Sequence, residues 1–380
     1  MFWYANCKLI GAEEWCVNEE FPFASLNPSR ETNPGETGFG SLPLWRRGSS
    51  QSWGLCESLI ARSQACRYQD PEQMVLLAER AVAVADGLDP MEYGRELVGD
   101  LRARAFAELS NAYRVADDLE TAERMLRRAV DWSSKGTQDP LLLARIMRLA
   151  AALRGSQRRF PEALSLLDAV YTLYERHGDR SNAGRAMISK GLYTGYNNDP
   201  EGAIQFLYDG LAMINPLTDP KLVLSAVHNL VNFLADCGRF QEAHRLLRRS
   251  RRAYFAAGDR LNLIKMYWIE GKIYAGLGKL DKAEKAFLKT QQEFESVGLA
   301  YNAALVSLDL SSVLLEQGKS REAAVLVEQM ITIFRSRRVA REALAALLLL
   351  RESLDAERNS LALLQTVRGY LKRLESKPAI

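Results

Sequence analysis

Residues 270–290 read EGKIYAGLGKLDKAEKAFLKT, and this pattern recurs along the chain at nearly constant spacing. Ala283 is the key residue of the stretch, because an alanine stands at the corresponding place in every copy. The other copies are 109–130, 191–211, 230–250 and 310–330, with a weaker one at 158–170, and their key alanines are Ala122, Ala203, Ala243, Ala323 and Ala163. From Ala122 to Ala323 the step is 41 residues once and 40 residues four times, which indicates an array of structural repeats.

Each copy predicts two helices joined by a turn. A small or apolar residue, such as Gly271, stands twelve positions before the key alanine, and turn residues follow it, such as Gly278 or the Asp117–Asp118 pair. Glycine suits a helix end because it adopts the left-handed conformation without a Cβ clash. Phe287 follows Ala283 by four residues, so both lie on one face of the second helix. We therefore expect the alanine where the two helices approach closely.

This arrangement resembles the tetratricopeptide repeat family. The matches are clearest at Phe106, Leu109, Tyr113, Ala122, Leu126 and Ala129 in one copy and at Tyr267, Gly271, Tyr274, Ala283 and Phe287 in another. The usual repeat has about 34 residues and this one has about 40; the extra residues are expected in longer second helices, ended by Gly178, Gly258 and Gly298. HEAT-type repeats of similar length are the alternative. The spacing of the small residue, the tyrosine and the alanine favours the tetratricopeptide resemblance.

The predicted fold is all-α, a right-handed α-solenoid of about eight antiparallel helix pairs over residues 53–376. Asp70 as a helix cap and Pro71 at the first helical position predict an upstream pair, and residues 339–374 a final one. Only 25 Gly and 12 Pro occur in 380 residues, which favours helices over strands and turns. Residues 1–52 show no apolar period, so we expect a poorly ordered N-terminal segment, a remnant of a longer protein or a wrongly chosen start.

Catalytic motifs are not recognisable, so we expect a protein that is not an enzyme and has no cofactor. The chain has 3 His and 5 Cys at irregular spacing, which gives no metal site and fits reduced thiols in a cytoplasmic protein. Gly318, Lys319 and Ser320 resemble the end of a phosphate-binding loop, but Val313 replaces its first glycine. The longest apolar run, 343–350, is far shorter than the roughly 20 residues of a membrane span.

The resemblance implies that positions two, five, nine and twelve of each repeat line a concave groove that binds a partner. The residues expected there are Arg104, Asn111, Arg145, Arg148, Arg185, His228, Asn232, Lys265, Trp268 and Lys272. Cationic groups bind carboxylates, amides hold an extended peptide backbone, and a tryptophan is a frequent interface anchor. The alternative is a set of scattered, solvated charges.

Two functions are therefore open. The first is a non-catalytic scaffold that binds a protein or peptide with acidic or carboxylate groups. The second is the ligand- or partner-sensing module of a bacterial transcription or signalling regulator, without a recognisable DNA-binding part. Direct nucleic-acid binding is not expected: the net charge is +3, and Arg248, Arg249, Arg251 and Arg252 fit a solvated outer helix face. The partner, the pathway and the oligomeric state are left open by the sequence.

Overall fold

The computed structural model describes residues 52–67, 70–336, 347–348, 350–351 and 354–355. In these ranges the regular secondary structure is helical, without a strand. The chain divides into two compact units, one ending at Ile146 and the other continuing from Met147. The predicted N-terminal segment lies outside the described residues except for Ser52, and so does most of the last predicted helix pair, 339–374.

The unit that ends at Ile146 begins with a helix pair that the sequence predicted. Its helices are α1 (Trp53–Cys66), α2 (Pro71–Asp86), the short α3 (Pro90–Tyr93), α4 (Arg95–Val115), α5 (Leu119–Ser133) and the first part of α6 (Pro140–Ser156). Pro71 opens α2, and the Asp70 carboxylate accepts a hydrogen bond from the Gln73 amide at 2.9 Å. The predicted cap is confirmed, and α2 packs on both α1 and α4.

The unit that continues from Met147 holds the most regular repeats. After the rest of α6 come α7 (Phe160–Arg176), α8 (Arg180–Tyr196), α9 (Pro200–Met213), α10 (Pro220–Asp236), α11 (Phe240–Ala257), α12 (Arg260–Gly276), α13 (Leu280–Ser296), α14 (Ala300–Glu316) and α15 (Ser320–Ser336). From α8 to α15, each helix packs against the next one, and the short connectors make neighbouring helices antiparallel. The predicted all-α solenoid of helix pairs is confirmed.

The length of the repeat is divided equally between its two helices. α12, α13 and α14 have 17 residues each, and three residues join one helix to the next. Two such helices and two such connectors account for the 40-residue step. The residues beyond the usual 34 therefore do not belong to the second helix alone.

The key alanines lie where the sequence predicted, at the contact between paired helices. All six are fully buried, with 0% exposure: Ala122, Ala163, Ala203, Ala243, Ala283 and Ala323. The small residue twelve positions earlier is needed for the same contact. A Cβ atom on Gly271 would lie 2.6 Å from Cε1 of Phe287, which is too close for any side chain. Packing at the core of each pair thus fixes the register of the repeat.

The turn inside a helix pair has one geometry in the six pairs from α4–α5 to α14–α15. The second residue of its connector has a left-handed backbone in six successive pairs, with φ between 58° and 77°, at Asp117, Arg158, Asn198, Gly238, Gly278 and Gly318. In the glycine-containing turn, the Lys279 amide donates to the Tyr274 carbonyl at 2.9 Å and closes the end of α12. Glycine was expected at this place, whereas Arg158 adopts the same conformation despite its side chain.

Candidate functional site

Residues at position five of the repeat, fifteen before the key alanine, lie between helices rather than at the surface. Trp268, His228 and Arg148 have 2%, 0% and 1% of their surface exposed. The Trp268 ring meets Phe294 edge to face, with centroids 5.8 Å apart, and His228 meets Tyr254 in the same way at 6.0 Å. In both pairs the second ring belongs to the end of the second helix of the same repeat.

Trp268 also links its repeat to the next one. Its indole Nε1 donates a hydrogen bond of 2.8 Å to Oδ2 of Asp309, which is itself buried on α14. Asp309 stands at position six of its repeat, and so does the buried Glu108 on α4, which accepts hydrogen bonds from Ser63 and Gln64. Position six was not among the positions expected to line a groove; its signal in the sequence is a single acidic residue in an apolar run, as in LVSLDLSSV.

The pair of His228 and Tyr254 is held uncharged by its surroundings. His228 Nδ1 lies 2.9 Å from the Tyr254 hydroxyl. Burial lowers the pKa of His228 well below its usual 6.5, and the charges of Lys265 and Lys272 lower it further. Burial also raises the pKa of Tyr254, so the phenol keeps its proton and can donate to a neutral imidazole.

Lys272, at position nine, reaches the partly exposed edge of this region. Its Nζ lies 3.3 Å from Oδ1 of Asn232 on the preceding first helix and 5.6 Å from the centre of the Trp268 ring. Asn232 in turn donates to the Asp236 carboxylate at 3.3 Å, and Asp236 is exposed. We call Asn232, Lys265, Trp268, Lys272 and Asp309 the inner cluster. These five residues come from three consecutive first helices, α10, α12 and α14.

Arg185 is engaged inside the fold. It forms a buried ion pair with Asp219, the residue that precedes α10. Asp219 makes no capping hydrogen bond to its own helix, because its carboxylate is directed to α8 instead. Arg185 therefore ties α8 to the start of α10, and it does not lie in the inner cluster.

The other predicted residues belong to the unit that ends at Ile146, apart from Arg148. Arg104 donates to the Glu57 carboxylate at 2.6 Å, which joins α4 to α1. The Asn111 side chain accepts hydrogen bonds from the Arg114 guanidinium at 2.9 and 3.2 Å, and both residues are buried. Arg145 is half-buried on α6. The structure thus brings together His228, Asn232, Lys265, Trp268 and Lys272, and the assignment of all ten residues to partner binding stays a prediction.

Within the described ranges, no three His, Cys, Asp or Glu side chains converge in a way that could hold a metal ion. None of the helices described above is both long and apolar enough to cross a membrane.

This chain is similar to known proteins in one repeat of its sequence and in its fold. Residues 223–254, from α10 into α11, match the family model of the tetratricopeptide repeat, and no curated protein sequence matches the chain. The structure is similar to a Rap protein complexed with competence and sporulation factor (11% identity, 84% of this chain and 88% of that one, TM-score 0.61). It is also similar to the apo form of the quorum sensor NprR from B. thuringiensis (16% identity, 78% and 81%, TM-score 0.60).

A further similar structure is NprR in complex with its cognate peptide NprX, at 16% identity over 78% of this chain and 84% of that one, with a TM-score of 0.56. At these identities the likeness concerns the fold alone. The match at 223–254 identifies that segment as a tetratricopeptide repeat, and the six buried alanines continue the same pattern along the array.

Proposed function

We propose that the inner face of α10, α12 and α14 binds a segment of a polypeptide partner without catalysing a reaction. The observation that carries this proposal is the inner cluster, whose hydrogen bonds cross from one repeat to the next: Lys272 to Asn232, and Trp268 to Asp309. Polar side chains of three repeats thereby lie side by side, as the binding of an extended segment requires. The fold likeness to peptide-complexed NprR supports the same role.

Unused amide groups on the same helices support a polypeptide ligand. Both side-chain amide atoms of Asn302 on α14 are buried without a hydrogen bond in the described structure, and so is Nδ2 of Asn229 on α10. A buried polar atom without a partner costs about 1–3 kcal/mol. A peptide backbone offers both a donor and an acceptor at each residue, which an asparagine amide can satisfy.

The charge of the inner cluster favours an acidic segment. Lys272 is the cationic member at the partly exposed edge, whereas Lys265 and Trp268 are buried. A carboxylate of the ligand would gain a charge-assisted hydrogen bond from Lys272. Lys265 and Trp268 would contribute by holding Lys272 in position at the partly exposed edge.

Lys272→Glu tests this function with little risk to the fold, since the side chain is partly exposed. The matched control is Lys285→Glu, which makes the same charge change at an exposed place on α13. A display library of random heptapeptides is selected against the wild-type protein, and the enriched peptides are measured by fluorescence anisotropy. We expect the selected peptides to be acidic. Their affinity for Lys272→Glu should be at least ten-fold lower than for the wild type, and their affinity for Lys285→Glu should equal that for the wild type. Equal binding to both variants would contradict the proposal.

A sensing role is the second candidate, favoured by the likeness to the quorum sensor NprR. A sensor must differ in conformation between its free and bound states. If the protein is a sensor, a selected peptide should change amide hydrogen exchange in helices that do not belong to the inner cluster, such as α7 and α8. A scaffold should show protection confined to α10–α14.

A further inference from the structure

The outward face of α11 carries four arginines in one row. Ala243, Leu247 and Tyr254 are buried and form the inward stripe of this helix. The opposite face is exposed and consists of Arg245, Arg248, Arg249 and Arg252. These residues have the spacing i, i+3, i+4 and i+7, so their guanidinium groups are neighbours over about 10 Å of helix.

This row is not neutralised inside the molecule. Arg251, on the side of the helix, pairs with Glu270 at 3.0 Å, and Arg239, just before the helix, pairs with Glu201 and Glu242. In the part of the chain that the structure describes, Arg248, Arg249 and Arg252 have no ion pair or hydrogen bond from their side chains. Like charges at these spacings repel one another along a helix. An external anion would relieve that repulsion.

The repeat itself does not require these charges. The row occupies the places two, five, six and nine residues after the key alanine. On α7, α9 and α15 the same four places hold no cation, and on α13 they hold two lysines. α5 has three arginines there, but Arg127 pairs with Glu123 and Arg128 lies over the Phe106 ring. Among the described second helices, α11 alone has cations at all four places, and three of them, Arg248, Arg249 and Arg252, have no internal partner, whereas Arg245 lies near Glu242.

We propose that the outward face of α11 binds the sugar–phosphate backbone of a nucleic acid. Arginine pairs with phosphate through two parallel hydrogen bonds, and phosphate contacts give affinity through released counterions. The row itself contains no apolar side chain, and because arginine is also frequent in protein interfaces, an acidic polypeptide is the competing ligand. Insertion of α11 into a membrane would need its apolar stripe, which is buried in the fold. Phe255, which is 57% exposed one turn beyond Arg252, can stack on an unpaired base.

The test replaces the whole row and measures the salt dependence of binding. The variant Arg245→Gln, Arg248→Gln, Arg249→Gln, Arg252→Gln keeps good helix formers on α11, so the helix is retained. Binding to a labelled 20-base-pair duplex and to a 20-nucleotide single strand is followed by anisotropy from about 50 to 200 mM NaCl. For the duplex, removing four phosphate contacts should reduce the slope of log K against log salt by about 3 to 4. At about 50 mM NaCl, we expect the four-glutamine variant to bind the duplex with at least ten-fold lower affinity than the wild type.

A charge-matched control distinguishes the row from the total charge. Arg62, Arg80, Arg95 and Arg176 are exposed on four different helices, and their replacement by Gln removes the same four charges. This control should bind nucleic acid within about two-fold of the wild type. The proposal is overturned if the wild type does not bind either strand form, if both variants lose affinity equally, or if poly-glutamate of equal charge binds more tightly than the duplex.

Discussion

At the residue scale, position five shows how a polar side chain can be part of the core. Trp268 and His228 occupy the same place in successive repeats, and each meets an aromatic ring at the end of the following helix. The family pattern predicts that position five faces the groove, but it does not predict the length of the second helix. In a 40-residue repeat that helix is long enough to cover position five, and the side chain is enclosed.

Burial of His228 predicts a dependence of stability on pH. Its pKa in the folded state lies well below 6.5, because of burial and then of Lys265 and Lys272, so the unfolded chain binds the extra proton as pH falls below about 6.5. The stability is fully present above that pH and declines below it, by at most about 1.4 kcal/mol per pH unit. Urea unfolding between about pH 6.5 and 5 should show this decline in the wild type and a flatter profile in His228→Gln. The exposed His177→Gln variant should keep the wild-type profile; a decline that persists in His228→Gln would exclude this origin.

At the element scale, the connection from α9 to α10 differs from the three-residue turns. It has six residues, from Ile214 to Asp219, as does the connection from α5 to α6. Its last residue, Asp219, is buried against Arg185 of α8 instead of capping α10. The ion pair therefore adds a long-range contact to the local turn, in which the Asp219 amide donates to the Asn215 carbonyl at 3.1 Å, and both fix the entry of α10.

Removing one partner of that pair should destabilise the unit strongly. Asp219→Asn leaves the Arg185 charge buried without its counter-charge, and Arg185→Met does the same to Asp219; each should cost about 3–5 kcal/mol. The double variant should lose much less than the sum, as measured by urea unfolding. Arg260→Met breaks the exposed pair with Glu293 and should cost no more than about 1 kcal/mol. Additive losses in the double variant would mean that the two side chains act independently.

At the scale of the whole molecule, stability should spread along the array from repeat to repeat. From α8 to α15, each helix packs on its sequence neighbours, and first helices also touch the next first helix, as α10 touches α12. α14 is buried from Asn302 to Leu314 without interruption. In such an array, stability is approximately the sum of the repeats and of their nearest-neighbour contacts.

A single overpacked alanine should therefore have a graded effect. Ala283→Phe introduces a large side chain at a fully buried contact between α12 and α13 and should cost about 1–3 kcal/mol. Hydrogen exchange should accelerate most in α12–α14 and less in α8. The exposed Lys285→Phe variant on the same helix should leave exchange in α12 and α14 unchanged. A neutral Ala283→Phe would mean that the repeat register is wrong.

The sequence by itself determined the fold, the repeat register and the turns. Equal steps between alanines report contacts inside one helix pair, and such local packing is encoded by residue type and spacing. Only the tertiary structure decided which polar residues are buried, because burial depends on contacts between residues about 26 to 41 positions apart, as between Trp268 and Phe294 or Asp309. The same reason applies to Arg248, Arg249 and Arg252: the sequence predicts that they lie on an outer helix face, and only the fold shows that they have no internal partner among the described residues.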